Sequence, residues 1–256
     1  MILTFVIDLI QVEDDVGSIN TASHSRNVIH KTMTLNSIDT DLFLPDMSEP
    51  SQLFSDDQRK LLYRHIPPRI QGHTWSLAFS THTHGFSLGS LYRACARLDC
   101  PVLLVVQDTE HAVFGACISE PPQPSDKFLG TGESWLFTFY PSFKVDHWTL
   151  QRTAALRLFI HCSCSNTVFN VNSASLSTLS TTVRCVQVYQ WTGENSYIMR
   201  ASPDTLVIGS SEGGFGLWLD GGFSQGRSQH TATFDNRPLP GREDFVINNL
   251  ECWSFQ

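Results

Sequence analysis

The fold class of this chain is decided by the stretch Val102-Leu-Leu-Val-Val-Gln-Asp-Thr-Glu-His-Ala-Val-Phe-Gly-Ala-Cys-Ile118. Its first five residues are a continuous run of Val and Leu, which is typical of a strand buried on both faces. A polar turn at Asp108–His111 separates this run from a second apolar run that begins at Val113. Strands joined by so short a turn pair in antiparallel orientation. The stretch therefore predicts a buried antiparallel hairpin.

Strand signals continue on both sides of this hairpin. Residues 75–79 alternate large apolar side chains with Ser and Ala, and residues 135–139 place three aromatic rings on one face. Three more strand signals, separated by Gly-rich turns, follow at Thr205–Ile208, Phe215–Leu219 and Phe245–Trp253. Strands outnumber helices, and strands and helices do not alternate regularly. This pattern predicts the α+β class, an antiparallel β-sandwich flanked by a few helices, rather than a parallel α/β sheet.

Two helices are predicted before the hairpin. Ser55-Asp-Asp-Gln58 has the spacing of a capping box, and Pro67-Pro68 ends the helix that follows it. Ser87 is placed to cap a second helix, on which apolar residues recur at helical spacing. These residues are Leu88, Leu91, Tyr92 and Cys95. Both helices are expected to cover the sheet.

Composition and charge exclude several classes of function. Charged residues make up 16% of the 256 residues and the net charge is −8, so a direct nucleic-acid partner is not expected without a basic cluster. The apolar start, Met1–Ile7, lacks a basic residue and ends at Asp8, unlike a signal peptide. No stretch approaches the roughly 18 apolar residues of a membrane span. We therefore expect an intracellular monomer without membrane insertion, in the cytoplasm, with the nucleus and the mitochondrion as alternatives.

Two segments fall outside this plan. Residues 1–51 carry no sustained helical or strand period, which predicts a mobile leader. The stretch from Thr149 to Gln187 contains no Asp, Glu, Lys, Gly or Pro, although the rest of the chain is rich in turns. So long a stretch without turn residues is unusual in a compact domain.

Three short motifs suggest chemistry but have simpler explanations. Gly85-Phe-Ser-Leu-Gly89 matches the G-x-S-x-G nucleophile elbow of α/β-hydrolases, yet the parallel sheet which that elbow needs is missing. His82 and His84 are two potential metal ligands, but spacing places no third or fourth ligand. Cys162-Ser-Cys164 lies in the unusual segment. We therefore expect Ser87 to cap a helix, the histidines to be solvated, and no cofactor or metal site.

Two carboxylates at predicted strand ends have a stronger claim to function. Glu133 follows Gly130-Thr-Gly132 and enters a strongly apolar strand, and Asp220 follows the strand Phe215–Leu219. A carboxylate in such a place is an edge group, a hydrogen-bonded anchor or a functional site. For Asp220 the role of a turn residue is the favoured explanation.

Six motifs occur along the chain in a fixed order. They are Leu61–Arg69, His84–Leu88, Phe128–Phe139, Trp191–Asn195, Gly213–Asp220 and Glu243–Trp253. In this order they resemble the TLDc domain of the oxidation-resistance proteins, over about residues 52–255 apart from the unusual segment. The resemblance implies a β-sandwich with helices and a non-enzymatic role in protection against oxidative damage. It also implies a partner, the peripheral sector of the vacuolar proton pump (V-ATPase), whose assembly the family regulates.

The resemblance gives the two carboxylates a predicted role, and the position of one thiol suggests an alternative function. Glu133 and Asp220 lie in family motifs at strand ends, so we predict that they bind the partner. The alternative function is a thiol-based antioxidant or a hydrolase-like enzyme. The thiols considered for it are those of Cys95, Cys100, Cys117 and Cys252. Cys95 and Cys117 lie on apolar faces and are expected to be buried, and Cys100, just before a strand, is the best remaining candidate redox thiol.

The unusual segment is where this chain departs from the family. Lys144 would join Val188 without a gap if residues 145–187 were removed. Because Val codons begin with GT and a Gln codon can end in AG, Val145 and Gln187 stand where the ends of a retained in-frame intron would stand. We predict that residues 145–187 are a translated intron or an isoform-specific insertion. It interrupts a TLDc-like domain that spans residues 52–256.

Overall fold

The computed structural model describes residues 44–139, 143–144, 158–161, 168–171, 182–183 and 186–256. Most of the predicted leader and of the predicted insertion therefore lies outside the described residues. The helical elements are α1 (Asp56–Tyr63), a 3₁₀ turn (Pro68–Ile70), α2 (Thr81–His84) and α3 (Leu88–Cys95). The strands are β1 (Trp75–Ser80), β2 (Val102–Asp108), β3 (Val113–Ile118), β4 (Trp135–Thr138), β5 (Phe143–Lys144), β6 (Leu158–His161), β7 (Val168–Val171), β8 (Thr182–Val183), β9 (Gln187–Gln190), β10 (Met199–Ala201), β11 (Thr205–Ser211), β12 (Gly214–Asp220), β13 (Gln225–Arg227) and β14 (Asp244–Phe255).

Ten strands form one continuous sheet, in the order β10-β11-β12-β13-β14-β2-β3-β4-β9, with β1 pairing on β14. Each pairing in this sheet is antiparallel. The twelve-residue β14 joins the two halves, because residues 244–246 pair with β13 and residues 247–254 pair with β2. Two further two-stranded sheets, β5–β8 and β6–β7, are also formed. The predicted α+β class, with an antiparallel sandwich and few helices, is confirmed.

The central hairpin lies between two hydrophobic clusters. Leu104 and Val106 of β2 belong to one cluster, which β10, β11 and β12 complete from the other half of the sheet. Leu103 and Val105 belong to the second cluster, which includes residues of α1 and the 3₁₀ turn. Since alternate side chains of β2 enter different clusters, the strand must be apolar throughout. The continuous Val and Leu run thus has the physical cause that the sequence predicted.

The helix caps agree with the sequence at one helix and differ at the other. Ser55 and Gln58 form the predicted capping box at α1. Ser87 is the N-cap residue of α3, but its side chain makes no capping hydrogen bond. The predicted N-cap position of Ser87 is therefore confirmed, but its hydroxyl does not supply the cap. Instead the Leu88 N–H at this helix end donates to the Gly221 carbonyl, at 2.9 Å.

The end of the predicted leader is held against the domain. The Trp75 N–H donates to the Asp46 carbonyl at 2.8 Å, and the Ser48 N–H donates to the Trp75 carbonyl at 2.9 Å. The buried Glu251 carboxylate accepts hydrogen bonds from the Ser51 hydroxyl and the Gln52 N–H. Because these groups satisfy one another, residues 46–52 are connected to β1 and β14 by hydrogen bonds.

Candidate functional site

Two of the sequence motifs, Gly130–Glu133 and Trp191–Asn195, meet on the surface of the domain. The indole of Trp191 lies directly over Gly132, so that a Cβ at this position would come within 2.8 Å of the ring atom Cζ3. The indole Nε1 donates to the Asn195 carbonyl at 2.7 Å, and the Thr192 N–H donates to the Thr233 carbonyl at 3.0 Å. These bonds fix the Trp191 loop, and only glycine leaves room for the ring at position 132.

An aromatic pair extends this contact. The rings of Phe128 and Tyr197 have centroids 4.9 Å apart, and the Arg200 guanidinium lies 5.2 Å from the Phe128 centroid. Tyr197 is 48% exposed and Trp191 is 37% exposed, whereas most large apolar side chains of the sheet are buried. We call the set Phe128, Gly132, Trp191, Tyr197 and Arg200 the aromatic loop surface. It presents rigidly held rings to solvent, which is the usual composition of a protein-binding surface.

Glu133 borders this surface and pairs with Arg69 of the 3₁₀ turn. The Arg69 Nε is 2.8 Å from the Glu133 Oε2, and its Nη2 is 2.6 Å from the same oxygen. The hydrogen bond from Arg69 lowers the pKa of Glu133 below its ordinary value. Both side chains are about half exposed, at 50% and 41%. Glu133 is therefore an exposed anchor of the 3₁₀ turn and is also accessible to a partner.

A Glu133→Gln substitution should show how much of this pair is structural. We expect the melting temperature at pH 7 to fall by no more than about 4 °C, because an exposed ion pair contributes at most about 1 kcal/mol. Since the folded pKa is below the unfolded one, this contribution is complete above the unfolded pKa and is lost as the pH falls through the folded pKa. Thermal unfolding of both proteins at pH 7 and in acid checks this, and a difference that grows in acid would contradict it.

Asp220 holds the turn that follows β12. Its Oδ1 accepts from the N–H groups of Ser224 and Gln225, both at 2.7 Å, and its Oδ2 accepts from the Ser224 hydroxyl at 2.8 Å and the Gly222 N–H at 3.3 Å. Burial raises the pKa of Asp220, but these hydrogen bonds outweigh it, so that the pKa is lowered overall. All four of these bonds come from residues within five positions of Asp220, so the structure supports the turn role for this residue. Asp220 and Glu133 share no hydrogen-bond partner in the described part of the chain.

The histidine and serine motifs do not form a catalytic arrangement. Ser87 lies between α2 and α3, not on a strand-to-helix turn as a nucleophile elbow requires. His84 is exposed, but its ring stacks on Phe79 at 5.4 Å and its Nδ1 accepts from the Ser80 N–H. Among the residues that the structure describes, no three His, Cys, Asp or Glu side chains are grouped so as to hold a metal ion.

The described cysteines are free thiols in two environments. Cys95, Cys117 and Cys252 are buried, as predicted for the first two, and Cys100 is partly exposed. Burial raises the pKa of the Cys117 thiol, which keeps it protonated. The predicted motif Cys162-Ser-Cys164 lies outside the described residues. Cys100 is therefore the most accessible thiol in the described part of the chain.

Sequence reasoning missed the aromatic loop surface. Both motifs were visible, but Gly132 and Trp191 are far apart in sequence, and local periodicity does not report such a contact. An aromatic residue beside a Thr-Gly turn was the available signal.

In the described residues no helix is both long enough and apolar enough to cross a membrane.

Comparison with known proteins identifies the family. A family model described as the TLDc domain matches residues 47–169 and 158–256. Oxidation resistance protein 1 of Homo sapiens is 36% identical over 219 residues, which cover 86% of this chain and 20% of that protein. The same protein of Xenopus tropicalis is 36% identical over 236 residues, covering 92% and 22% of the two chains. Nuclear receptor coactivator 7 of Mus musculus is 36% identical over 213 residues, covering 83% and 18%.

This chain thus spans about a fifth of the length of these relatives. The two matched ranges together extend from residue 47 to residue 256 and contain the aromatic loop surface. Because they cover well over half of the chain, the protein belongs to the TLDc domain family, as its six motifs predict.

Proposed function

We propose that this chain is a non-enzymatic protein-interaction domain that protects cells against oxidative stress by binding the peripheral sector of the V-ATPase and regulating the pump. The link to oxidative stress is supported by the name of its relative, Oxidation resistance protein 1. The names of the relatives state no enzymatic activity. The V-ATPase as partner follows from the family resemblance.

The observation that carries this proposal is the aromatic loop surface. Tyr197 and Trp191 are exposed although hydrogen bonds and ring contacts fix their loops, so little conformational entropy is lost when a partner covers them. Exposed aromatic rings beside arginine side chains are typical of residues that dominate protein binding. Glu133, at the border of this surface, and Asp220, whose hydrogen bonds hold the turn after β12, are the carboxylates that we propose to bind the partner.

The proposal is tested by capturing the V-ATPase peripheral sector with the full chain and with a Tyr197→Ala variant. We expect the variant to lose about tenfold or more in affinity, the effect of removing a central aromatic contact. The matched control is Phe86→Ala, because Phe86 is 49% exposed, almost the same as Tyr197, but lies between α2 and α3. The control should bind like the unchanged chain.

Each outcome has a definite meaning. Equal binding by all three proteins would show that the aromatic loop surface is not the contact. If the folded wild-type chain captures no peripheral sector, the V-ATPase proposal is wrong. The alternative of an antioxidant thiol at the partly exposed Cys100 would then be favoured.

A further inference from the structure

Two buried thiols from different elements lie in contact. Cys95 is the last residue of α3, and Cys252 lies in β14, where it pairs with Leu104 of β2 and Phe79 of β1. Their sulfur atoms are 3.9 Å apart although the residues are 157 positions apart in sequence. Both side chains are fully buried, in the cluster between the two halves of the sheet.

We propose that Cys95 and Cys252 form a reversible disulfide when the protein meets a hydroperoxide. A disulfide has a sulfur–sulfur distance of about 2.05 Å, so each sulfur must move by only about 1 Å from the observed 3.9 Å. Cys95 stands at the C-terminal end of a helix, where a small shift disturbs few backbone bonds. The inference does not depend on the identity of the binding partner.

The chemistry needs only the hydroperoxide as oxidant. One sulfur attacks the peroxide, the O–O bond breaks, an alcohol or water leaves, and the sulfur becomes a sulfenic acid. The second thiol then displaces the hydroxyl group as water and forms the S–S bond. In total, two thiols and one hydroperoxide give one disulfide, one alcohol or water from the peroxide, and one further water.

Burial sets the order of events. The hydrogen bond with Cys95 and the buried surroundings raise the pKa of Cys252, so this thiol is a weak nucleophile in the closed structure. We expect the partly exposed Cys100 to be oxidised first and the buried pair to follow as the end of α3 opens. The disulfide would join α3 to β14 and raise the melting temperature by about 5 °C or more.

The test is peptide mapping of the full chain after treatment with hydrogen peroxide, followed by unfolding in urea with N-ethylmaleimide present, so that the remaining buried thiols are also blocked. Trypsin cuts after Arg93, Arg97 and Arg242, which places Cys95 on peptide 94–97, Cys252 on peptide 243–256, and Cys100 on neither. We expect peptide 94–97 linked to peptide 243–256, and the link should disappear after addition of dithiothreitol.

Two variants serve as controls. Cys117 is equally buried but lies in the other hydrophobic cluster, so Cys117→Ser should leave the link intact. In the Cys95→Ser variant, Cys252 should form no disulfide and should carry N-ethylmaleimide. The proposal is wrong if Cys100 becomes oxidised while Cys95 and Cys252 of the unchanged chain both carry N-ethylmaleimide, or if Cys95 links to Cys100 instead. The result on the unchanged chain is decisive even if a variant folds poorly.

Discussion

A Gly115→Ala variant is expected to fail to fold. A Cβ at this position would overlap the carbonyl oxygen of Leu104 and would lie 3.0 Å from the Leu104 carbonyl carbon and 3.1 Å from the Phe137 ring. The obstacle is backbone of the neighbouring strand, so no side-chain rotation removes it. The β2–β3 hairpin, where Gly115 pairs with Val105, would have to separate.

The expected loss is comparable with the whole stability of a domain, about 5–15 kcal/mol, because β2 and β3 contribute to both hydrophobic clusters. The measurement is the amount of folded, soluble protein that can be purified and, where protein is obtained, its thermal unfolding. The control is Gly89→Ala on α3, where the nearest atom to a new Cβ is the Ser87 Oγ at 3.7 Å. This change should be neutral or stabilise by about 0.5–1 kcal/mol. A Gly115→Ala protein that melts near the wild-type temperature would contradict the prediction.

We propose that residues 145–187 are an insertion. We therefore expect their removal to leave the sheet intact. In the full chain Thr138 of β4 pairs with Gln187, and Phe137 pairs with Val188. In the shortened chain Lys144 precedes Val188, so Lys144 would pair with Thr138. Residues 139–143 would then form a hairpin loop of about five residues, which is a common length.

One buried position is occupied by different residues in the two chains, because Val186 precedes Gln187 in the full chain and Phe143 precedes Lys144 in the shortened one. Val186 is 8% exposed and belongs to the cluster of Trp135 and Phe137. In the shortened chain the same position is filled by Phe143, which is also apolar. The two ranges matched by the family model overlap within the segment, at residues 158–169, which agrees with an interrupted domain.

Crossed substitutions test this exchange. Val186→Asp in the full chain and Phe143→Asp in the shortened chain should each destabilise by about 3 kcal/mol or more, because each would bury an unpaired carboxylate. The midpoints of urea unfolding measure both changes. A shortened chain without a cooperative transition, or one that tolerates Phe143→Asp, would refute the exchange. Capture of the V-ATPase peripheral sector by both forms then shows whether the segment blocks binding.

The elements could be predicted from the sequence where one local pattern has one physical cause. The run Val102–Val106 is apolar because both faces of β2 are buried, and the capping box at Ser55 is a contact between neighbours in sequence. Ser87 shows the limit, because its position at the helix start was predictable but its missing hydrogen bond depends on the surrounding chain.

The candidate site was less predictable, because it is made by contacts across the sheet. The packing of Trp191 on Gly132 and the contact of Cys95 with Cys252 bring together residues that lie far apart in sequence. The partners of Asp220, by contrast, lie within five residues of it, and the turn role was correctly favoured. Sequence patterns locate a motif, and the exposure and the distant neighbours of its side chains need the fold.

The place of β14 in the sheet has a consequence for synthesis of the protein on the ribosome. This strand joins both halves of the sandwich and follows all the other strands of the sheet in the chain. During translation β2 therefore lacks its β14 partner until all the other strands of the sheet have been synthesised. Both hydrophobic clusters stay incomplete during this time, and such nascent chains are the ones that need chaperones. Because Trp75 pairs with Phe255, the contact between β1 and β14 closes a loop of about 180 residues, and pairing over so long a stretch of chain is expected to be slow.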